Sequence, residues 1–83
     1  MEGVVTEINR TRGVVVIKTE EGYYSIFEML FDTSFNIGDE VSWTEDYFLG
    51  DCDMRNITQD EILKVYFQNH NISKSNLSNQ IRH

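Results

Sequence analysis

Short runs rich in β-branched and aromatic residues alternate with polar turns over residues 1–57. Four consecutive β-branched residues, from Val14 to Ile17, strongly disfavour a helix there. Glycine or asparagine occurs in most of the intervening turns, and both residues suit tight connections between strands. The pattern predicts five strands, at residues 3–9, 14–19, 23–29, 40–44 and 54–57. Short strands at this spacing indicate a small barrel.

The pattern changes after residue 57, where it predicts a helix. Thr58 to Glu61 matches a capping box, in which the Thr58 hydroxyl caps the helix and Glu61 reaches back. The apolar residues that follow form a broad stripe at helical spacing: Ile62, Leu63, Val65, Tyr66 and Phe67. We expect this helix to run to about residue 69 and to dock on the barrel. Residues 73–83 are polar apart from Leu77 and Ile81, and they favour a second short helix or a frayed tail.

The chain is therefore predicted to be mainly β and to have two parts. Residues 1–57 form the barrel, and residues 58–83 form a helical extension or tail. One or two short C-terminal helices are expected in that extension.

Several segments of the predicted barrel have the sequence and spacing of one known family. The clearest are Gly-Val-Val-Thr-Glu-Ile-Asn at 3–9, Arg-Gly-Val-Val-Val-Ile at 12–17 and Ile-Gly-Asp-Glu-Val-Ser-Trp at 37–43. Residues 26–29, Gly50 and Asn56-Ile57 fit the same alignment. Over residues 2–57 the chain resembles a divergent cold-shock domain. The resemblance implies a five-stranded OB-type barrel that binds single-stranded RNA or DNA on exposed aromatic side chains, without catalysis.

The resemblance breaks at the positions that normally stack on bases. Glu7 stands at the tryptophan position of the first strand, and Val14 and Val16 stand at the two phenylalanine positions of the second. Met29 replaces the histidine of the third strand, whereas Phe27 is retained. Each stacked base is worth ~1–3 kcal/mol, so the loss of several platforms removes roughly 3–12 kcal/mol as an additive upper bound. A micromolar complex has only about 8 kcal/mol in total, so the resemblance implies weakened nucleic-acid binding.

Candidate contacts to a nucleic acid remain among the cations and the other aromatic residues. Arg12 keeps the charge of a lysine in the family, and Arg10 and Lys18 lie nearby in the sequence. The aromatic residues are either core packing or exposed rings of a binding surface, and the sequence leaves both possibilities open. The predicted nucleic-acid-binding residues are Arg10, Arg12, Lys18, Tyr24, Phe27 and Phe31.

Glu28 occupies a position where the family has an apolar core residue. A buried carboxylate without a partner is costly. We therefore expect either a local shift of the strand register or a cationic partner for Glu28.

The charge balance favours a different kind of partner. The chain has 14 Asp and Glu residues against 7 Lys and Arg, a net charge of −7. Nucleic-acid binding draws much of its affinity from cations that neutralise phosphates, so this balance is unfavourable for it. The alternative function is an acidic protein–protein interaction module with a regulatory role that binds no nucleic acid. A single-stranded nucleic acid and a protein partner both remain open.

The residue pattern gives no sign of catalysis, and we expect no enzyme activity, cofactor or small-molecule substrate. Asp46, Asp51, Cys52 and Asp53 match no metal-binding loop spacing and are interpreted as a solvated acidic stretch. A lesser alternative concerns residues 71–81, which resemble the turn and second helix of a helix-turn-helix that contacts duplex DNA.

Cys52 is the single cysteine, so no disulfide can form within the chain. The first residues lack the features of a signal peptide, and no apolar run approaches the ~20 residues of a membrane span. We therefore expect a cytoplasmic protein without a membrane partner.

Overall fold

Six strands and one short helix make up the described part of the chain. The computed structural model describes residues 1–30, 35–44 and 49–81, with side chains to residue 77. The elements are β1 (Glu2–Asn9), β2 (Val14–Thr19), β3 (Tyr24–Met29), β4 (Glu40–Ser42), β5 (Gly50–Asn56), β6 (Glu61–Ile72) and α1 (Lys74–Ile81). The prediction of a mainly β fold, with a small barrel and a short C-terminal helix, is confirmed, with six strands in place of five.

The strands close into a barrel in the order β1-β2-β3-β6-β5-β4, with β4 returning to β1. Every neighbouring pair is antiparallel. Strand direction alternates at each step around such a ring, so the ring closes only when the number of strands is even. The sixth strand therefore allows antiparallel pairing all the way round, and the meanders β1-β2-β3 and β4-β5-β6 form the two halves.

β6 lies where the sequence predicts a helix, so residues 61–72 belong to the barrel and not to a helical extension. Val65 and Phe67 are fully buried, whereas Tyr66 between them is 43% exposed. Pairing with β3 on one edge and β5 on the other satisfies the backbone of the strand. The helix prediction is wrong because Tyr66 is an apolar residue that faces outward. Its presence between Val65 and Phe67 hides the alternation of polar and apolar residues that is typical of a strand.

The predicted capping box forms the turn between β5 and β6 instead of a helix end. The Thr58 hydroxyl accepts a hydrogen bond from the Glu40 backbone N–H at 2.8 Å. Asp60 adopts a φ of 57°, in the left-handed region, and its carboxylate forms an ion pair with Arg55 at 3.2 Å. These contacts reverse the chain tightly enough for β5 and β6 to pair along most of their length.

All six strands contribute side chains to the interior of the barrel, which also receives Phe35 from the link between β3 and β4. The Phe35 ring meets Phe27 edge-on, with ring centroids 5.1 Å apart. The Arg10 guanidinium donates a hydrogen bond to the Phe35 carbonyl at 3.1 Å. Backbone bonds between Val5 and the end of the link, at 2.8 and 2.9 Å, fasten this segment to β1.

A buried carboxylate joins the same link to the turn after β5. Asp39 Oδ2 accepts hydrogen bonds from the Asn36 backbone N–H at 2.9 Å and from the side-chain amides of Asn56 at 2.8 Å and Gln59 at 2.7 Å. Burial alone raises the pKa of the Asp39 carboxyl group, but these three bonds outweigh it and hold the pKa below its usual value. Asp39 therefore stays ionised at neutral pH and ties two connections of the barrel together.

Candidate functional site

The register of β3 places the retained aromatic ring in the core. Val15 faces the interior and pairs with Phe27, whereas Val16 and Ile26 form the next pair, on the outer face. Phe27 is accordingly 0% exposed. Its predicted role as a base-stacking platform is wrong, because a ligand cannot reach the ring while the barrel is folded.

Glu28 lies on the outer side of β3, opposite Val14 on β2. Its carboxylate accepts a hydrogen bond from the Gln68 side-chain amide at 3.1 Å. The alignment with the family places residue 28 in the core, whereas in the structure Phe27 faces the interior and Glu28 faces outward. The strand is thus shifted relative to that alignment, as one of the two expectations has it. The partner of Glu28 is an amide and not a cation.

Leu77 of α1 packs on the face of the sheet that carries Val14 and Val16, two of the positions to which the resemblance assigns base stacking. A second set of buried apolar residues lies on this face, outside the barrel interior, and we call it the outer cluster: Val14, Val16, Ile26, Ile72 and Leu77. Leu77 comes from α1, and the other four residues come from β2, β3 and β6. Tyr24 is partly buried against the same cluster. Aliphatic side chains thus fill this face, and a helix lies over them.

The predicted cationic contacts do not converge. Arg12 is exposed in the turn between β1 and β2, close to Arg10. Lys18 lies near the other end of β2, opposite Tyr24 on β3. The length of β2 between them corresponds to about 13 Å of extended chain. Phe31, the remaining predicted contact, lies outside the described residues.

Two other cations are neutralised on the surface. Lys64 pairs with Asp53 at 3.2 Å, and Arg55 pairs with Asp60 at the same distance. Exposed pairs of this kind contribute little to stability. They nevertheless leave fewer positive charges available to a phosphate backbone.

The helix-turn-helix interpretation of residues 71–81 is wrong. The motif needs two helices, and the segment before the turn is the long strand β6. α1 follows that strand directly and packs on the barrel through Leu77.

The acidic stretch around Cys52 is spread over two faces of β5. Asp51 and Asp53 are exposed, whereas Cys52 between them is buried and contributes to the interior. Asp46 lies outside the described residues. Over the part of the chain that the structure describes, no group of three potential ligands is arranged to hold a metal ion.

An apolar groove crosses the outside of β1 between β2 and β4, and we call it the β1–β4 groove. Its volume is about 400 Å³. Val4 on β1 is 40% exposed in it, and Ile57, just after β5, is 37% exposed. These two β-branched side chains form an apolar surface that the fold itself leaves uncovered.

Acidic side chains dominate the rim of the β1–β4 groove. Glu2, Glu20 and Glu40 line it, and Lys18 is the one cation among its lining residues. The Glu20 carboxylate accepts a hydrogen bond from the Glu2 backbone N–H at 3.1 Å, which fixes its position at the rim. Three carboxylates against one ammonium give the groove a net negative charge at neutral pH.

The pattern of apolar residues along the chain does not predict this groove, although it contains one signal of it. Val4 and Val5 are consecutive in a strand, so one of them has to face outward. Val5 is in the interior and Val4 is outside. The approach of Ile57 and Glu40 depends on the closure of the barrel, which local sequence does not reveal.

In comparisons with known proteins, no family model, no curated protein sequence and no solved structure matches this chain. No helix within the described ranges is long and apolar enough to cross a membrane. The fold itself is a small closed antiparallel β-barrel, and this architecture is compatible with an OB-like module.

Proposed function

We propose that this chain is a non-enzymatic small-barrel binding module whose partner is a protein with a cationic surface. The observation that supports the proposal most directly is the outer cluster. Its aliphatic side chains, with Leu77 packed against them, include Val14 and Val16, two of the positions at which a cold-shock-like module would stack bases. Without stacking, nucleic-acid affinity rests on phosphate contacts, and the chain has a net charge of −7.

Electrostatic complementarity favours a cationic protein over a neutral one. A negatively charged surface accelerates encounters with a positively charged partner and disfavours wrong partners of like charge. The exposed apolar residues, Val4 and Ile57 among them, provide places where such an encounter can bury apolar area.

Single-stranded nucleic acid is the competing candidate for the partner. The only support for it is the resemblance of residues 2–57 to a cold-shock domain. Of its six predicted contacts, Phe27 is buried in the interior, Arg10 is engaged with the Phe35 carbonyl, and Lys18 is remote from Arg12. Among the residues that the structure describes, this distribution gives a single strand no continuous track of rings and cations.

A titration followed by two-dimensional amide NMR spectra tests the proposal. Oligo(dT) and oligo(U) are added in one series, and short lysine-rich peptides of varied apolar content in another, at ~50 mM salt. We expect the peptides to shift resonances in a salt-sensitive manner and the oligonucleotides to have no effect at high micromolar concentration. Saturable oligonucleotide binding, with no response to any peptide, contradicts the proposal.

A further inference from the structure

We infer that the β1–β4 groove binds an extended protein segment in which one aliphatic side chain lies between basic residues. This inference rests on the proposed function and names the site and the chemistry of the partner. It follows from three properties of the groove: its apolar lining, the arrangement of its charges and the contrast with the exposed apolar site at Ile62.

The apolar lining suits a single aliphatic side chain. Val4 and Ile57 converge on one depression of about 400 Å³, within the range of roughly 300–1,000 Å³ that is usual for ligand-binding clefts. Both side chains are stiff at χ1, so the surface that they present is fixed before a partner arrives. A leucine or isoleucine side chain placed there removes apolar area of both partners from water.

The charges lie on both sides of this lining. Glu40 is the β4 residue opposite Val4, and Glu20 follows the end of β2 on the other side of β1. Lys18 is the β2 residue opposite Val4. A segment that crosses β1 with its aliphatic side chain over Val4 therefore meets Glu40 on the β4 side and Lys18 together with Glu20 on the β2 side. Because Glu2 adds a third carboxylate to the rim, the acidic groups outnumber the one cation, and lysine or arginine residues flanking the aliphatic residue are favoured.

A second exposed apolar site lacks this arrangement. Ile62 on β6 is 75% exposed, but the depression next to it combines the carboxylates of Glu2 and Asp53 with the Arg55 guanidinium, so its acidic excess is smaller than that of the β1–β4 groove. A second copy of this chain is also a poor occupant of the β1–β4 groove, because its net charge of −7 opposes the acidic rim.

The binding experiment uses the blocked pentapeptide Lys-Lys-Leu-Lys-Lys and the complete chain, followed by amide NMR at low salt. We expect the largest shifts at residues 2–4, 6, 18–20, 40–41 and 57, which line the groove. Replacing the central leucine of the peptide by serine is expected to weaken binding roughly tenfold, because the apolar contact is lost. The matched peptide Glu-Glu-Leu-Glu-Glu is expected not to bind.

Two pairs of variants with matched controls separate the apolar and the charged contributions. Val4→Thr with Ile57→Thr keeps β-branched shapes but makes the lining polar, and Ile62→Thr is its control outside the groove. Glu20→Gln with Glu40→Gln keeps the hydrogen-bonding ability of the side chains, and Glu61→Gln is its control. Each double variant is expected to weaken peptide binding at least about fivefold, with little effect from either control.

The outcomes distinguish the groove from the general proposal. Peptide binding that maps to another surface and is unchanged in both double variants overturns the inference about the groove and leaves a cationic protein partner in place. Failure of every lysine-rich peptide, together with binding of oligo(dT) or oligo(U), overturns both. Folding of each variant is checked by its amide spectrum before titration.

Discussion

The three hydrogen bonds that Asp39 accepts all reach the same oxygen, Oδ2, and they come from two separate connections of the barrel. Asn36 belongs to the link between β3 and β4, while Asn56 and Gln59 lie where β5 turns into β6. All three groups are donors, so the site requires an acceptor with high electron density. At the scale of single residues, this buried carboxylate is the shared acceptor that holds the two connections together.

We predict that Asp39→Ala lowers the free energy of unfolding at pH 7 by about 1–3 kcal/mol, because it removes the acceptor of the buried Asn56 amide and of two partly buried hydrogen bonds. Urea unfolding followed by circular dichroism measures the change. Asp39→Asn is the matched variant, since its Oδ1 can accept the same bonds without the charge, and we expect it to lose less. Equal losses in the two variants contradict this account.

The pH dependence of stability gives a second test of Asp39. Its pKa is lower in the folded state than the usual 3.8, so the ionised carboxylate stabilises the fold above that pH. This contribution disappears as the pH falls from about 4 through the folded-state pKa. The free energy of unfolding of Asp39→Asn is therefore expected to decrease less than that of the natural chain between pH 5 and the acid range. Parallel profiles contradict the prediction.

At the scale of elements, local pattern predicts the first half of the barrel well and the second half poorly. β2 begins and ends as predicted, and β1 and β3 differ by one residue at their starts. β6 escapes prediction because Tyr66, a large apolar ring on the outside of the strand, imitates a helical stripe. The packing of Leu77 is also not predicted, because the cluster that it joins includes Val14 and Val16, which are far from it in the sequence.

Two neighbouring substitutions distinguish a strand from a helix at this position. On β6, Phe67→Leu is expected to lower the free energy of unfolding by about 1–2 kcal/mol, because Phe67 fills the interior between Phe27 and Trp43. Tyr66→Leu is expected to have an effect below about 0.5 kcal/mol, since the side chain faces solvent. Chemical unfolding of the two variants measures both effects. If residues 66 and 67 both lay on the apolar stripe of a helix, the two variants would lose similar amounts of unfolding free energy, which contradicts a strand.

The docking of α1 depends on Leu77. An isolated helix of this length is unstable in water, so α1 needs its contact with the outer cluster. We predict that Leu77→Ala lowers the free energy of unfolding by roughly 1.5–3 kcal/mol and raises the fluorescence of a hydrophobic dye such as ANS. Asn76→Ala, on the exposed side of the helix, is the control and is expected to change neither quantity appreciably. Unchanged dye binding in Leu77→Ala contradicts a cover over this face.

At the scale of the whole molecule, the dominant property is an excess of negative charge. The net charge is −7 over 83 residues, and the described surface pairs Lys64 and Arg55 with acids without removing that excess. Repulsion among like charges destabilises a compact state, and added salt screens it. We therefore predict that the melting temperature rises by a few degrees between 20 mM and 200 mM sodium chloride. A fall over the same range indicates that attractive pairs outweigh the repulsion.

The barrel is closed unevenly, and the shortest strand lies beside the β1–β4 groove. β4 has 3 residues and meets β1 through the pairs Glu2↔Ser42, Gly3↔Val41 and Val4↔Glu40, whereas β5 and β6 are paired from Gly50↔Phe67 to Asn56↔Glu61. Local opening is easiest where the fewest bonds have to break together, so deuterium should enter the β4 amides sooner than those of β6. A peptide bound in the groove lies across the β1–β4 pairing, from the β2 side to β4. Its binding is then expected to slow deuterium uptake in β4, which can be measured without a label on the peptide.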